Sequence, residues 1–97
     1  MVYLTILIYI KKGKHKTFNQ YESKVLPLLK KHNCRLLLRL KANRHTGSYA
    51  PDKIHVISYK SKSDFDKYIS DSERKKYSKL LAETVEKTII IKGRKLL

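Results

Sequence analysis

His55 is the residue of this chain best suited to acid–base chemistry. It lies in the apolar run KIHVISY, residues 53–59, and an imidazole exchanges protons near neutral pH. Histidines in strands are more often simply packed or exposed, so the catalytic role is a hypothesis at the level of sequence. His45, in the segment 42–51, could lie over the mouth of a pocket, although a solvated loop position is the simpler explanation.

Two arginines and two tyrosines are candidate ligand-binding residues. Arg35 and Arg39 are four residues apart in CRLLLRLK, so a regular strand would place both guanidinium groups on one face. Paired guanidinium donors can hold a carboxylate or a phosphate. Tyr9 and Tyr59 could line a pocket for an aromatic ligand. The alternatives are salt bridges for the arginines and ordinary packing for the tyrosines.

Several kinds of site are disfavoured by what the sequence lacks. Cys34 is the single cysteine, the four histidines are scattered, and neither HxxxH nor HxH occurs, so we expect no metal. The chain has no glycine-rich phosphate loop and no GxSxG motif, and we expect no cofactor. No apolar run approaches the ~20 residues of a membrane span. The apolar segment 2–10 is interpreted as a strand rather than a signal peptide, which predicts a cytoplasmic protein.

The composition is strongly basic. The 97 residues contain 23 Lys and Arg against 8 Asp and Glu, which gives a formal charge of +15. Such a charge attracts nucleic acid, acidic membranes or acidic proteins. The basic clusters are spread along the whole chain, however, and a lysine-rich bias on solvated loops explains that spread more simply. The length predicts one domain, residues 1–97.

The periodicity of apolar residues predicts the order β-α-β-β-α-β. Strands are expected at residues 2–10, 34–41, 53–59 and 88–92, and the segments between the first and second and between the third and fourth have helical spacing. Thr17 with Gln20 forms a capping-box pattern, and Pro27 should kink or restart the first helix. A second such pattern, Ser70 with Glu73, predicts a break in the second helix near residue 72. The expected fold is therefore α+β and ferredoxin-like, with a four-stranded antiparallel sheet and helices on one face.

Strand alternation predicts two chemically different faces of the sheet. Toward the helices should point Val2, Leu4, Ile6, Ile8, Ile10, Cys34, Leu36, Leu38 and Leu40. The opposite face should carry Tyr3, Thr5, Leu7, Tyr9, Arg35, Leu37, Arg39 and Lys41, with either His55, Ile57 and Tyr59 or their neighbours from the third strand. That face is too apolar for water and too charged for a dry core. We expect two copies to close a barrel over it, with or without an enclosed ligand.

Two segments resemble a known family. Residues 21–42 contain an aromatic–Glu start, the run VLPLL and a basic–His helix end, and residues 51–77 contain PDK before an apolar strand and SKSDF after it. They resemble the DUF1330-type members of the dimeric α/β-barrel superfamily. The resemblance implies a ferredoxin-like protomer, a homodimer and a pocket between sheet and helices, but no particular reaction. Asn33–Cys34 and Ser72 depart from it, where relatives usually carry a glycine pair and often a proline.

Three functional interpretations follow from these observations. The first is a dimeric barrel that binds a small anionic or aromatic metabolite, either as a simple binding protein or as a cofactor-free monooxygenase-like or isomerase-like enzyme, with pocket residues His55, Arg39 and Tyr9. The second is a basic nucleic-acid-binding module that stacks bases on sheet tyrosines, against which the RNP1 pattern is missing. The third is a homodimer with no ligand, which the sequence does not separate from the first.

Overall fold

The computed structural model of the chain, which describes residues 1–43 and 47–96, has the predicted ferredoxin-like fold. One antiparallel sheet has the strand order β2-β3-β1-β4, and short helices cover one of its faces. The elements in chain order are β1 (Val2–Ile10), α1 (His15–Val25), α2 (Leu28–Lys31), β2 (Arg35–Lys41), β3 (Lys53–Tyr59), α3 (Lys62–Ile69), α4 (Ser72–Lys75), α5 (Ser78–Thr84) and β4 (Val85–Gly93). No helix in the described ranges is both long and apolar enough to cross a membrane.

The first helical segment is broken where the sequence predicts it. Pro27 lacks a backbone donor, and the chain restarts there as the single turn of α2. Asn33 then ends this turn with a φ of 59°, in the left-handed region that asparagine tolerates. The expected capping box at Thr17 is wrong, because α1 already begins at His15 and has no side-chain cap.

The second helical segment forms three short helices rather than two. Ser61 caps α3, since its hydroxyl accepts the N–H of Asp64. The restart at Ser72 is confirmed, but its cap is Asp71 and not Ser70: Asp71 Oδ1 accepts the backbone N–H groups of Glu73 and Arg74. Asp71 thereby fixes the corner between α3 and α4.

A β-bulge in β2 overturns the predicted alternation of that strand. Leu36 pairs with Ile57, but the next pair is Leu38 with Val56, so the register shifts between these two pairs. One extra residue reverses the faces of every side chain beyond it. Arg39 and Lys41 therefore lie on the helix-covered side, and Leu38 and Leu40 lie on the open side, contrary to expectation.

His55, the catalytic candidate of β3, lies on the helix-covered side of the sheet. His55, Ile57 and Tyr59 are buried under the helices, so their place on the helix-covered face is now assigned. Tyr59 stacks on Phe65 of α3, with 4.8 Å between ring centroids and 12° between ring planes. This packing belongs to one of two core clusters; the other is centred on Phe18 and Tyr21 of α1.

The open face of the sheet is more apolar than predicted, because the bulge exchanges basic residues for leucines. Strand pairing places Leu7, Leu38, Leu40, Ile54, Val56, Ile89 and Ile91 on it, with Tyr3, Thr5 and Tyr9 beside them. Leu38 is 52% exposed and Ile91 is 53% exposed. We call these ten residues the open face; none of the helices covers it.

Candidate functional site

A buried carboxylate lies at the centre of the candidate site. Glu22 is on α1, between Tyr21 and Val25 on the face that packs against the sheet, and only 1% of it is exposed. A carboxylate at such a position must be paired and hydrogen-bonded, because its transfer from water is otherwise costly. Its neighbours on the sheet provide that pairing.

Three basic side chains from β2 and β3 converge on Glu22. Arg39 donates two hydrogen bonds, from Nε to Oε2 at 3.2 Å and from Nη2 to Oε1 at 3.0 Å. Lys53 Nζ donates to Oε1, and His55 Nε2 lies 2.7 Å from Oε2. Arg39 of β2 is paired with His55 of β3, and Lys53 lies two residues before His55 on the same strand. The three basic side chains are therefore neighbours in the sheet.

The electrostatics of this cluster keep Glu22 ionised. Burial raises the pKa of the carboxyl group, but the hydrogen bonds from His55, Arg39 and Lys53 outweigh it and lower the pKa to about 2. An ionised carboxylate can only accept hydrogen bonds. Nε2 of His55 must therefore carry the hydrogen that it shares with Glu22, and if the imidazole is neutral its lone pair is on Nδ1. No hydrogen bond to Nδ1 is formed within the described ranges.

His55 and Glu22 line a cleft between the helices and the sheet. Its volume is about 270 Å³, a size that suits a small metabolite. The walls are mainly apolar and aromatic, and include Phe18, Val25, Ile57, Phe65 and Tyr68. An apolar cleft with a hydrogen-bonded imidazole in its wall has the composition of a small-molecule site. We call it the inner cleft.

A larger groove of about 600 Å³ runs outside the inner cleft, along the edge strand β2 and the helices α1 and α2. Arg35 and Arg39 both line it, and the Arg39 side chain is 48% exposed. Both donor atoms of Arg39 that face inward are already bound to Glu22. Arg39 therefore enters the groove beside Arg35 with part of its guanidinium group already paired to a carboxylate.

The five predicted site residues do not form a single site, although Arg39 and His55 meet at Glu22. His55 lines the inner cleft, Arg39 is bound to Glu22, and Tyr59 is a buried core residue stacked on Phe65. Tyr9 lies on the open face, where its hydroxyl donates to the carbonyl of Tyr49 at 2.9 Å. Arg35 is exposed near the start of β2. His45 lies outside the described residues.

Glu22 and Lys53 are functional candidates that the sequence interpretation missed. Glu22 had a detectable signal, because it occupies an apolar position in the helical spacing of Phe18, Tyr21 and Val25. A charged residue at such a position predicts a buried partner. Lys53 had no such signal, since a lysine at the start of a strand is usually solvated.

A second buried acid has a structural role. The Asp71 side chain is 2% exposed, and its Oδ2 binds His32 Nε2 at 2.7 Å and Lys31 Nζ at 3.0 Å. The hydrogen bond from His32 and then that from Lys31 lower the pKa of the Asp71 carboxyl group. Because Oδ1 caps α4, Asp71 ties the end of α2 to the corner between α3 and α4.

No family model matches the chain, and no curated protein matches it. Solved structures match almost all of it. A dimeric protein of unknown function and ferredoxin-like fold from Bacteroides fragilis has a TM-score of 0.72 and 18% identity, covering 95% of this chain and 93% of that chain. A DABB family protein from Mesorhizobium loti has a TM-score of 0.73 and 11% identity. The match covers 98% of this chain and 96% of that chain.

A third structure is a candidate antibiotic biosynthesis monooxygenase from Nitrosomonas europaea, with a TM-score of 0.76 and 11% identity over 100% of both chains. Identities this low show the fold alone. The neighbours therefore support the ferredoxin-like fold of the chain and leave its activity to be argued from its own residues.

Glu22 should stabilise the fold only while it is ionised. Its pKa is about 2 in the folded protein against an ordinary value of 4.5, so this stabilisation is complete above pH 4.5 and is lost as the pH falls toward 2. We expect Glu22→Gln to lower the free energy of unfolding at pH 6 by on the order of 2 kcal/mol, measured by urea denaturation. The variant should lose less stability than the wild type between pH 4.5 and 2.

The matched control is Glu83→Gln, which neutralises an exposed glutamate at the end of α5. It should retain both the stability and the acid sensitivity of the wild type. Equal acid sensitivity of the wild type and Glu22→Gln would contradict the assigned role of Glu22.

Proposed function

We propose that this protein is a DUF1330-type member of the dimeric α/β-barrel superfamily that binds a small aromatic or anionic metabolite in the inner cleft and removes a proton from it with His55. The observation that carries the proposal is the Glu22–His55 hydrogen bond of 2.7 Å in the wall of an apolar cleft. A carboxylate–imidazole pair in such a place is the usual arrangement of a general base.

The chemistry follows from the tautomer of His55. A proton passes from an acidic O–H or C–H group of the ligand to Nδ1, and the carboxylate of Glu22 stabilises the imidazolium that forms. Arg39 and Lys53 hold Glu22 in place and keep it ionised, so the carboxylate does not take up the proton itself. The resulting ligand anion can be reprotonated elsewhere, which is an isomerisation, or react with dioxygen, which is a cofactor-free oxygenation.

We also propose that two copies of the chain associate through the open face. Its leucines and isoleucines form a contiguous apolar surface on the sheet side that no helix covers, and such surfaces usually mark an interface. The bulge lowers the positive charge at this contact, because it turns Arg39 and Lys41 away from it and leaves Arg35 and Lys87 on that side of the sheet. A dimeric neighbour of the same fold, from Bacteroides fragilis, supports self-association without saying which face is used.

Nucleic-acid binding is less well supported. The stacking platform would need Tyr59 on the same face as Tyr3 and Tyr9, but Tyr59 is buried under the helices. Tyr9 is itself occupied, with Lys87 Nζ 4.5 Å from its ring centroid and its hydroxyl bound to Tyr49. The positive charge of the chain alone does not specify a nucleic-acid site.

The proposed base can be tested with 4-nitrophenol, an aromatic acid whose ionised form absorbs visible light. We expect the wild type to bind 4-nitrophenol saturably. At a pH just below the ionisation midpoint of the free probe, binding should increase the absorption of the phenolate form. His55→Gln should lose most of that increase because the proton acceptor is gone. His15→Gln, which changes a half-exposed histidine outside the inner cleft, should behave as the wild type. Absence of saturable binding, or an undiminished phenolate band in His55→Gln, would exclude the proposal.

The proposed assembly can be tested by light scattering on a sizing column. The wild type should have about twice the 11.4 kDa mass of one chain. Leu38→Asp should elute as a single chain with an unchanged circular dichroism spectrum, because a charge on the open face prevents its burial. Leu96→Asp, at a residue that is 88% exposed and outside the sheet, should remain dimeric. A wild-type mass of one chain at tens of micromolar would overturn the assembly.

A further inference from the structure

Arg74 brings an unpaired buried donor to the inner cleft. It belongs to α4, just after the corner that Asp71 fixes, and it lines the same cleft as Glu22 and His55. Its guanidinium carbon lies 5.0 Å from the centroid of the Tyr68 ring, and Nη1 donates to the carbonyl of Ile69 at 3.4 Å. These contacts hold the group in place without using all of its donors.

The Nε atom of Arg74 is buried and has no hydrogen-bond partner in the part of the chain that the structure describes. Asp71, close by in sequence, has no free capacity: its Oδ2 binds His32 and Lys31, and its Oδ1 accepts two backbone N–H groups. A buried guanidinium N–H without an acceptor costs free energy, and such groups call for a specific explanation. Arg39 shows the contrast, because Glu22 accepts two of its hydrogen bonds.

Arg74 acts on the hydroxyl groups of two nearby tyrosines. Burial raises the pKa of Tyr21, and the positive charge of Arg74 opposes that rise. Burial also raises the pKa of Tyr68, which is opposed by a side-chain hydrogen bond with Arg74 and then by its charge. Both tyrosines line the inner cleft. Arg74 therefore forms a positively charged part of the cleft wall, flanked by two aromatic rings.

We propose that Arg74 is the carboxylate-binding residue of the inner cleft, so that the ligand is a small aromatic carboxylate whose ring packs against Phe65 and Tyr68. The proposal rests on the proposed function, since it names the ligand class of the same site. A ligand carboxylate supplies an acceptor to the guanidinium group in the cleft wall, in a charge-assisted bond inside a mainly apolar cleft. A small shift of the Arg74 side chain on binding would also give Nε the acceptor that it lacks. It leaves the rest of the ligand free to present its acidic group to His55.

Benzoate and benzamide provide the test, because they have nearly the same shape and differ in charge. Isothermal titration of the wild type should show benzoate binding about tenfold or more tightly than benzamide. Arg74→Gln should reduce this ratio to about one. The control Lys75→Gln removes the same charge from the next residue of α4, which is exposed and does not line the cleft, and it should preserve the ratio.

The outcomes separate this inference from the proposed function. Equal affinity for the two probes in the wild type overturns the carboxylate assignment, and so does a ratio that survives in Arg74→Gln. Neither result affects the proposed base if 4-nitrophenol still binds and ionises. If none of the three probes binds to the wild type, the proposed function and this inference are both wrong.

Discussion

The need to compensate one buried carboxylate organises the helix-covered face of the sheet. Glu22 is fixed on α1 by the packing of its neighbours Tyr21 and Val25, and it has no access to water. An unpaired carboxylate there would destabilise the fold by several kcal/mol. The β-bulge in β2 removes that penalty, because it turns Arg39 toward the helices and beside His55. Bulges near functional sites commonly redirect side chains in this way.

The same bulge makes the two sides of the sheet chemically different. On the helix-covered side it completes the cluster of basic residues around Glu22, next to the inner cleft. On the other side it replaces Arg39 and Lys41 with Leu38 and Leu40, so the open face becomes a nearly continuous apolar surface. The proposed ligand chemistry and the proposed self-association would therefore use opposite sides of one sheet and different residues.

The fold could be predicted from sequence because its signals are local. The alternation in 2–10, the breaker Pro27 and the left-handed Asn33 each act through neighbouring residues. The faces of β2 could not be predicted, because the three consecutive leucines 36–38 fit either register and a bulge depends on tertiary pairing. Glu22 could have been found from its apolar helical position. Arg74 could not, because its missing partner becomes apparent only when the cleft is assembled.

The tautomer of His55 tests the central claim most directly. Nitrogen-15 NMR of the imidazole at neutral pH distinguishes a protonated from an unprotonated ring nitrogen. We expect the wild type to carry hydrogen on Nε2 of His55 and a lone pair on Nδ1. This preference should be weaker in Glu22→Gln. Hydrogen on Nδ1 and none on Nε2, or a tautomer indifferent to the Glu22→Gln change, would contradict the Glu22–His55 pair as the basis of the site.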